Sequence, residues 1–323
     1  MRIAVTGSIA TDHLMTFPGR FADQLLADRL DRVSLSFLAD NLEVRRGGVA
    51  ANIAFGLGVL GLRPSLVGAV GGDFEPYRVW LKDHGVDTDS VRVSDTRHTA
   101  RFVCTTDREQ NQIATFYAGA MAEAREIDLR EVVARHGRPD LVLVSPDDPE
   151  AMLRHTRGCR ELGIPFASDP SQQLARLGRD EVRELVDGAQ RLFTNEYESA
   201  LLCERSGLTE EQVLRRVGSW VTTRGEDGVR IRTAGRDTLT VPAVAVAEVV
   251  DPTGVGDAFL AGTAWGVPER YAARLGCAVA ATVLDHTGTQ EYRLEREPLL
   301  ARLRTAYGPA TATELSTHLG ALE

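Results

Sequence analysis

From Asn52 onward the chain alternates short Val/Ile/Leu runs with longer amphipathic stretches. That alternation is the pattern of βαβ units, and it confines the fold to an α/β class built on a mostly parallel sheet. The segments "DLVLVSPDD" (140–148), "IPFASDPSQQ" (164–173), "RLFTNEYE" (191–198) and "SWVTTRGEDG" (219–228) each pass from apolar residues into Ser, Asp, Asn or Thr. The first apolar run, Ile3 to Val5, ends the same way, in "TGS". The carboxyl ends of strands in an open parallel sheet lie along one edge, and ligands bind in the crevice outside it. A single polar tip only begins a loop; five of them, including the carboxamide pair Gln172 and Gln173, point to a binding edge.

Two segments break the alternation. Residues 33–39, "VSLSFLA", and 99–118, "TARFVCTTDREQNQIATFYA", read as strands without a following helix. If "DREQN" is a five-residue hairpin loop, Thr106 falls opposite Gln112, Cys104 opposite Ala114 and Phe102 opposite Phe116. A small antiparallel sheet outside the parallel core must cover something or pair with another chain, because its apolar face and open edges are otherwise liabilities. Residues 9–45 and 97–121 are therefore expected to form a β lid inserted into one large domain made of residues 1–8, 46–96 and 122–323.

At 323 residues the chain can build such a domain with a full core. Its 43% hydrophobic and 26% charged residues are ordinary for a folded, water-soluble protein. The formal charge is −9 with Lys and Arg scattered, so neither nucleic acid nor an anionic membrane is an expected partner. Cys104, Cys159, Cys203 and Cys277 stand far apart without CxxC spacing, as reduced thiols of a cytoplasmic protein would. The apolar runs are too short for a signal segment or a membrane span.

The chemistry concentrates in "DPTGVGDAFLAG" (251–262). The two commonest nucleotide fingerprints, GxxxxGK[ST] and GxGxxG after a strand, are missing. In their place, the extended run "VAVAEVV" leads into Gly254 and Gly256 and then a helix. The N–H groups of Gly254, Val255 and Gly256 would point from a helix N-terminus, where unpaired donors and the helix dipole favour an anion. Asp257 in that first turn is either a capping residue or a base that takes a proton from an attacking hydroxyl. A carboxylate beside an anion cradle favours the second role, as phosphoryl transfer requires.

The same stretch resembles the carboxyl-terminal signature D-T-x-G-A-G-D of the ribokinase/PfkB kinases, with Pro252 and Val255 departing from its commonest form. "GSIATD" (7–12) resembles the family's strand-one substrate element, "RRGGVAAN" (45–52) its G-G-x-x-x-N signature, and "NEYE" (195–198) its N-x-x-E motif. "TRGEDG" (223–228) is similar to its nucleotide loop and "HTGTQ" (286–290) to its carboxyl-terminal turn. The resemblance implies a ribokinase-like three-layer αβα core with a small β lid. It implies Asp257 as base, with the Gly254, Val255 and Gly256 amides holding the transferring phosphate. Asn195, Thr223, Gly225, Gly228 and Gly256 would then hold ATP, Glu198 would serve Mg²⁺ through water, and Asp12, Gly48 and Asn52 would bind acceptor hydroxyls. Asp251 matches a residue that lines a monovalent-cation site, usually for K⁺.

The segments "SLSFLAD", "FYAGAMAEAR" and "SDPSQQLARL" further resemble bacterial adenosine kinases of the actinobacterial type. That likeness implies adenosine contacts from Ser8, Ser36, Phe102, Phe116, Met121, Gln172 and Gln173, Asp169 bordering the phosphate site, and a homodimer formed through the lids. Phe102 and Phe116 are either a cross-strand pair that stabilises the hairpin or two faces of a sandwich around a planar base. The implied reaction is MgATP plus adenosine giving ADP and AMP, in purine salvage. A ribokinase-like sugar kinase, a kinase for another purine nucleoside, and a sensor that binds without turnover remain alternatives.

Overall fold

The computed structural model describes residues 1–25, 32, 34–264 and 266–322. Among these residues thirteen strands divide between two sheets. The larger has the order β13-β12-β11-β10-β9-β8-β1-β4-β5, from β1 (Ile3–Thr6), β4 (Ser65–Gly71), β5 (Asp87–Ser94), β8 (Leu141–Val144), β9 (Phe166–Ser168), β10 (Arg191–Asn195), β11 (Ser219–Thr223), β12 (Val229–Arg232) and β13 (Leu239–Val241). All neighbours from β11 to β5 are parallel, and β12 and β13 add an antiparallel edge.

Strand periodicity builds two cores, one on each face of this sheet. Ile3, Val5, Leu141, Leu143, Phe193 and Val221 enter one core, with the helices Val49–Val59, Val255–Thr263 and Glu269–Leu284. Ala4, Val142, Val144, Leu192 and Trp220 enter the other, with the helices Pro149–Leu162 and Arg179–Val186. These helices give the molecule its three layers. The chain leaves β1 toward β4 on one side and returns to β8 on the other, so the β1/β8 boundary is a topological switch point, where ligands of open α/β sheets bind. Ser8 N donates to Pro146 O across that boundary at 2.9 Å.

The smaller sheet has the order β3-β2-β6-β7, from β2 (Ala10–Thr16), β3 (Asn41–Gly47), β6 (Ala100–Thr106) and β7 (Gln112–Tyr117). Its outer ladders are antiparallel and its central pair, β2 with β6, is parallel. The hairpin register is the one expected from the loop length: Thr106 faces Gln112, Cys104 faces Ala114 and Phe102 faces Phe116. Asp107 closes that loop, its Oδ1 accepting the Glu109 and Asn111 amides at 2.9 Å, while Oδ2 accepts the Phe21 amide at 3.0 Å.

The strand expected over 33–39 is a correction. Residues 34–39 form no strand, and Val33 lies outside the described residues. Phe37 instead packs its ring on Phe17 and Phe21, with centroids 5.1 and 4.9 Å away, and Asn41–Gly47 takes the ladder against β2. Among the described residues no helix is long and apolar enough to cross a membrane, and all four cysteines are free thiols.

Candidate active site

Two cavities open beside the amino-terminal end of the helix Val255–Thr263. The first, about 460 Å³, lies at the switch point under the small sheet. Ser8, Asp12, Gly48, Asn52, Phe102, Phe116, Met121, Gln172, Gln173, Gly254 and Asp257 line it, all of them named by the sequence. Its size falls within the range of small-molecule sites. The second is an apolar slot of about 160 Å³ walled by Thr223, Gly225, Gly228, Val255, Gly256, Phe259 and Ala280.

The turn between the cavities is their common wall. Gly254 and Asp257 face the first, Val255 and Gly256 the second. Gly254 is the N-cap, in the left-handed region at φ 77°, and no side chain among the described residues caps the turn. First-turn amides of a helix lack intrahelical acceptors, so these donors stay available to an anion. Asp257 accepts a hydrogen bond from Asn52 Nδ2 at 2.8 Å instead of capping the helix. Burial lifts its carboxyl to about 7, the nearby Asp12 charge adding and the Asn52 bond opposing.

Asn52 is fixed in turn. Its Oδ1 accepts from Thr289 Oγ1 and from Gln290 Nε2, both at 2.9 Å. Gln290 Nε2 also reaches the Tyr77 hydroxyl, its Oε1 accepts from Trp80 Nε1 at 3.2 Å, and the Tyr77 hydroxyl donates to Gly47 O at 3.0 Å. A buried polar chain thus runs from the Asp257 carboxylate to the end of β3. Fully satisfied networks of this kind hold their members rigid. If so, Asn52→Leu should move the acidic limb of the pH–rate profile upward from about 7, because the bond that favours the carboxylate is lost. A profile unchanged by that substitution would separate Asn52 from the titrating group.

One row of the small sheet aims side chains at the same space. Arg45, Asp12, Phe102 and Phe116 are lateral neighbours on β3, β2, β6 and β7, and register neighbours share a face. Burial lifts the Asp12 carboxyl to about 6, Arg45 opposing and Asp251 adding. Below the row, Gln173 Oε1 is buried without a hydrogen-bond partner. Arg176 and Thr289, which sequence reasoning did not single out, also line this cleft. Ser171, ahead of the Gln pair, holds φ at 41°, an uncommon conformation for a residue with a side chain.

Three sequence assignments take a different form. Ser36 is exposed and does not line the cleft, because the Phe37 cluster holds that segment against Phe17 and Phe21. Asn195 and Glu198 form a reciprocal cap on the helix Glu196–Ser206, each side chain accepting the other's amide at 2.8 Å. Asn195 still stands beside Thr223 in the β10–β11 ladder, next to the apolar slot. Asp169 feels both this cap and the base: burial raises its carboxyl well above the usual range, and the Glu198 and Asp257 charges raise it further.

Asp251 departs most from its expected surroundings. Its Oδ1 accepts the Thr253 amide at 2.9 Å, its Oδ2 accepts the Gly288 amide at 2.9 Å, and Arg45 Nη1 stands 3.4 Å from Oδ2. Burial alone would raise this carboxyl, but hydrogen bonds from Thr253 and Gly288 and the Arg45 charge outweigh it and hold it below the usual carboxylate range. Both of its oxygens already accept an amide hydrogen bond, and the Arg45 guanidinium stands on the side of Oδ2 where a monovalent ion would have to approach.

An amide turn and a carboxylate set between two cavities suit a group-transfer enzyme of the kinase class. Residues 8–296 match the pfkB family of carbohydrate kinases, and the chain belongs to that family. The nucleoside kinase of Burkholderia thailandensis, solved in complex with inosine, superposes with a TM-score of 0.82 at 34% identity, over 95% of this chain and 98% of that one. The nucleoside kinase of Methanothermobacter thermautotrophicus is 34% identical over 253 residues, 76% of this chain and 80% of its own. Ribokinase from Thermotoga maritima, at 20% identity and a TM-score of 0.76, shares the fold, covering 94% of this chain and 99% of its own.

Proposed function

We propose that this chain is an ATP-dependent nucleoside kinase that phosphorylates the 5′-hydroxyl of a purine nucleoside, adenosine among its acceptors. The observation that carries this reading is the shared wall: one turn presents Asp257 to the larger cleft and Gly256 to the apolar slot. ATP in the slot and a nucleoside in the cleft would meet there, with Asp257 taking the hydroxyl proton and the turn amides receiving the developing phosphoryl charge. Glu198, with Asp169 nearby, would hold the Mg²⁺ of MgATP through water, and that ion when bound neutralises phosphate charge. Asp12 and Asn52 reach the same cleft from β2 and the helix Val49–Val59, where ribose hydroxyls would lie.

The far end of the cleft suits a base more than a bare sugar. Phe102 and Phe116 supply aromatic lining, Gln173 Oε1 is an acceptor without a donor, and Arg176 brings donors. A purine edge carries both kinds of group: adenine has an amino donor beside a ring acceptor, hypoxanthine a ring N–H beside a carbonyl. The inosine complex of the Burkholderia relative agrees with an acceptor of this kind. Rates of ADP release against adenosine, inosine, guanosine, cytidine and ribose test the reading. Purine nucleosides should lead, and activity confined to ribose would overturn it.

Phe102→Ala and Phe116→Ala should each weaken nucleoside binding by about 1–3 kcal/mol, the usual worth of one stacked base, while leaving KM for ATP unchanged. Equal losses for ribose and adenosine would mean that the rings only hold the hairpin together. The reading includes a homodimer through the lids. The face of the small sheet turned from the Phe102 row carries Leu42, Val44, Ile113 and Tyr117, all exposed. Sedimentation should show a dimer that Val44→Asp converts to monomer, and a monomeric parent chain would refute this.

A further inference from the structure

Beside the anion turn stands a charge that the turn itself does not supply. Arg45 belongs to β3, far in sequence from Asp251, yet its Nη1 lies 3.4 Å from the Asp251 Oδ2 that also accepts the Gly288 amide. The pair is largely enclosed, with side-chain exposures of 23% for Arg45 and 16% for Asp251. Glu43 accepts from Arg45 Nε at 3.0 Å on the other side, so the guanidinium is held by two carboxylates. Arg45 also packs beside Gly288, its Cδ and Nη1 lying 3.5 and 3.9 Å from where a side chain on that residue would begin, at ordinary contact distance.

We propose that Arg45 acts as a built-in cation beside Asp251, in the place where the family resemblance puts a monovalent ion, so that phosphoryl transfer by this chain needs no K⁺. A guanidinium is always charged and makes directed hydrogen bonds, so it can hold the two loops around Gly288 and Thr253 together as an ion would. A second cation at the same carboxylate would meet like-charge repulsion. The device has one consequence an ion lacks. Because Arg45 is carried on β3, beside Asp12 in the row over the cleft, the bond to Asp251 ties the position of the small sheet to the base of the anion turn.

The inference rests on the kinase reading, and two readouts keep them apart. Initial rates are compared in KCl and in choline chloride at equal ionic strength, and the melting temperature is followed in the same two salts. The parent chain should turn over at rates within about two-fold of each other and melt at the same temperature in both. Arg45→Met should lose about ten-fold or more in choline chloride and recover part of it in KCl, with KCl alone raising its melting temperature. Arg45→Lys, which keeps a cation, should stay indifferent to the salt. Stimulation of the parent chain by K⁺ of about ten-fold, or a K⁺-specific rise in its melting temperature, would overturn the proposal. A chain that transfers no phosphate in either salt would sink the kinase reading, and the melting comparison would still decide this one.

Discussion

Asp257→Asn is expected to lower kcat by about 10²- to 10⁴-fold, the range one positioned general base contributes, without weakening nucleoside binding. The reason lies in what the substitution preserves. Asparagine keeps an oxygen for the Asn52 Nδ2 bond of 2.8 Å, so the turn and the polar chain behind it should stay as they are. It cannot accept the hydroxyl proton. The parent enzyme should also show the titration of this group: with the carboxyl lifted to about 7, the deprotonated base is lost as pH falls through neutrality, so kcat/KM should fall roughly ten-fold per pH unit below that point. In the variant that slope should vanish. Calorimetric titration of nucleoside, alongside ADP release, measures both halves; a variant keeping a tenth or more of the parent rate would remove Asp257 from the base role.

The parts of this site that are local in sequence were readable, and those that depend on contacts across the fold were not. The tips of β1, β8, β9, β10 and β11 could be placed on one edge because period-two burial and the parallel rule fix where strand ends go. The Phe102–Phe116 register followed from the length of one loop. Gln290 could be matched to a motif, but nothing local shows that its amide reaches Asn52, Tyr77 and Trp80, which lie more than 200 residues earlier. Arg45 and Arg176 lie inside segments that match family motifs, but nothing local shows that Arg45 reaches Asp251, 206 residues later. Residues 33–39 were misread because their alternation suits a strand equally well as an aromatic anchor, and Phe37 decided for the anchor.

The second large effect separates what the fold demands of the turn from what the ligand demands. Gly254 sits at φ 77°, and a side chain there would begin 2.8 Å from Thr289 Cγ2. Gly254→Ala therefore meets both a backbone conformation that L-residues rarely adopt and a clash with the residue that holds Asn52, so stability and activity should fall together. At Gly256 the φ is ordinary for a helix, and a side chain would begin with nothing within 4 Å. Alanine there improves helix propensity by about 1 kcal/mol, so Gly256→Ala should melt no lower than the parent. Its methyl, however, would project where Gly256 lines the apolar slot, against the phosphates. We expect kcat to fall by about 10²- to 10³-fold, as when a donor to a developing oxyanion is displaced. A Gly256→Ala chain with the parent's turnover would show that no phosphate approaches the turn, and the kinase geometry described above would have to be abandoned even if Asp257 proved essential.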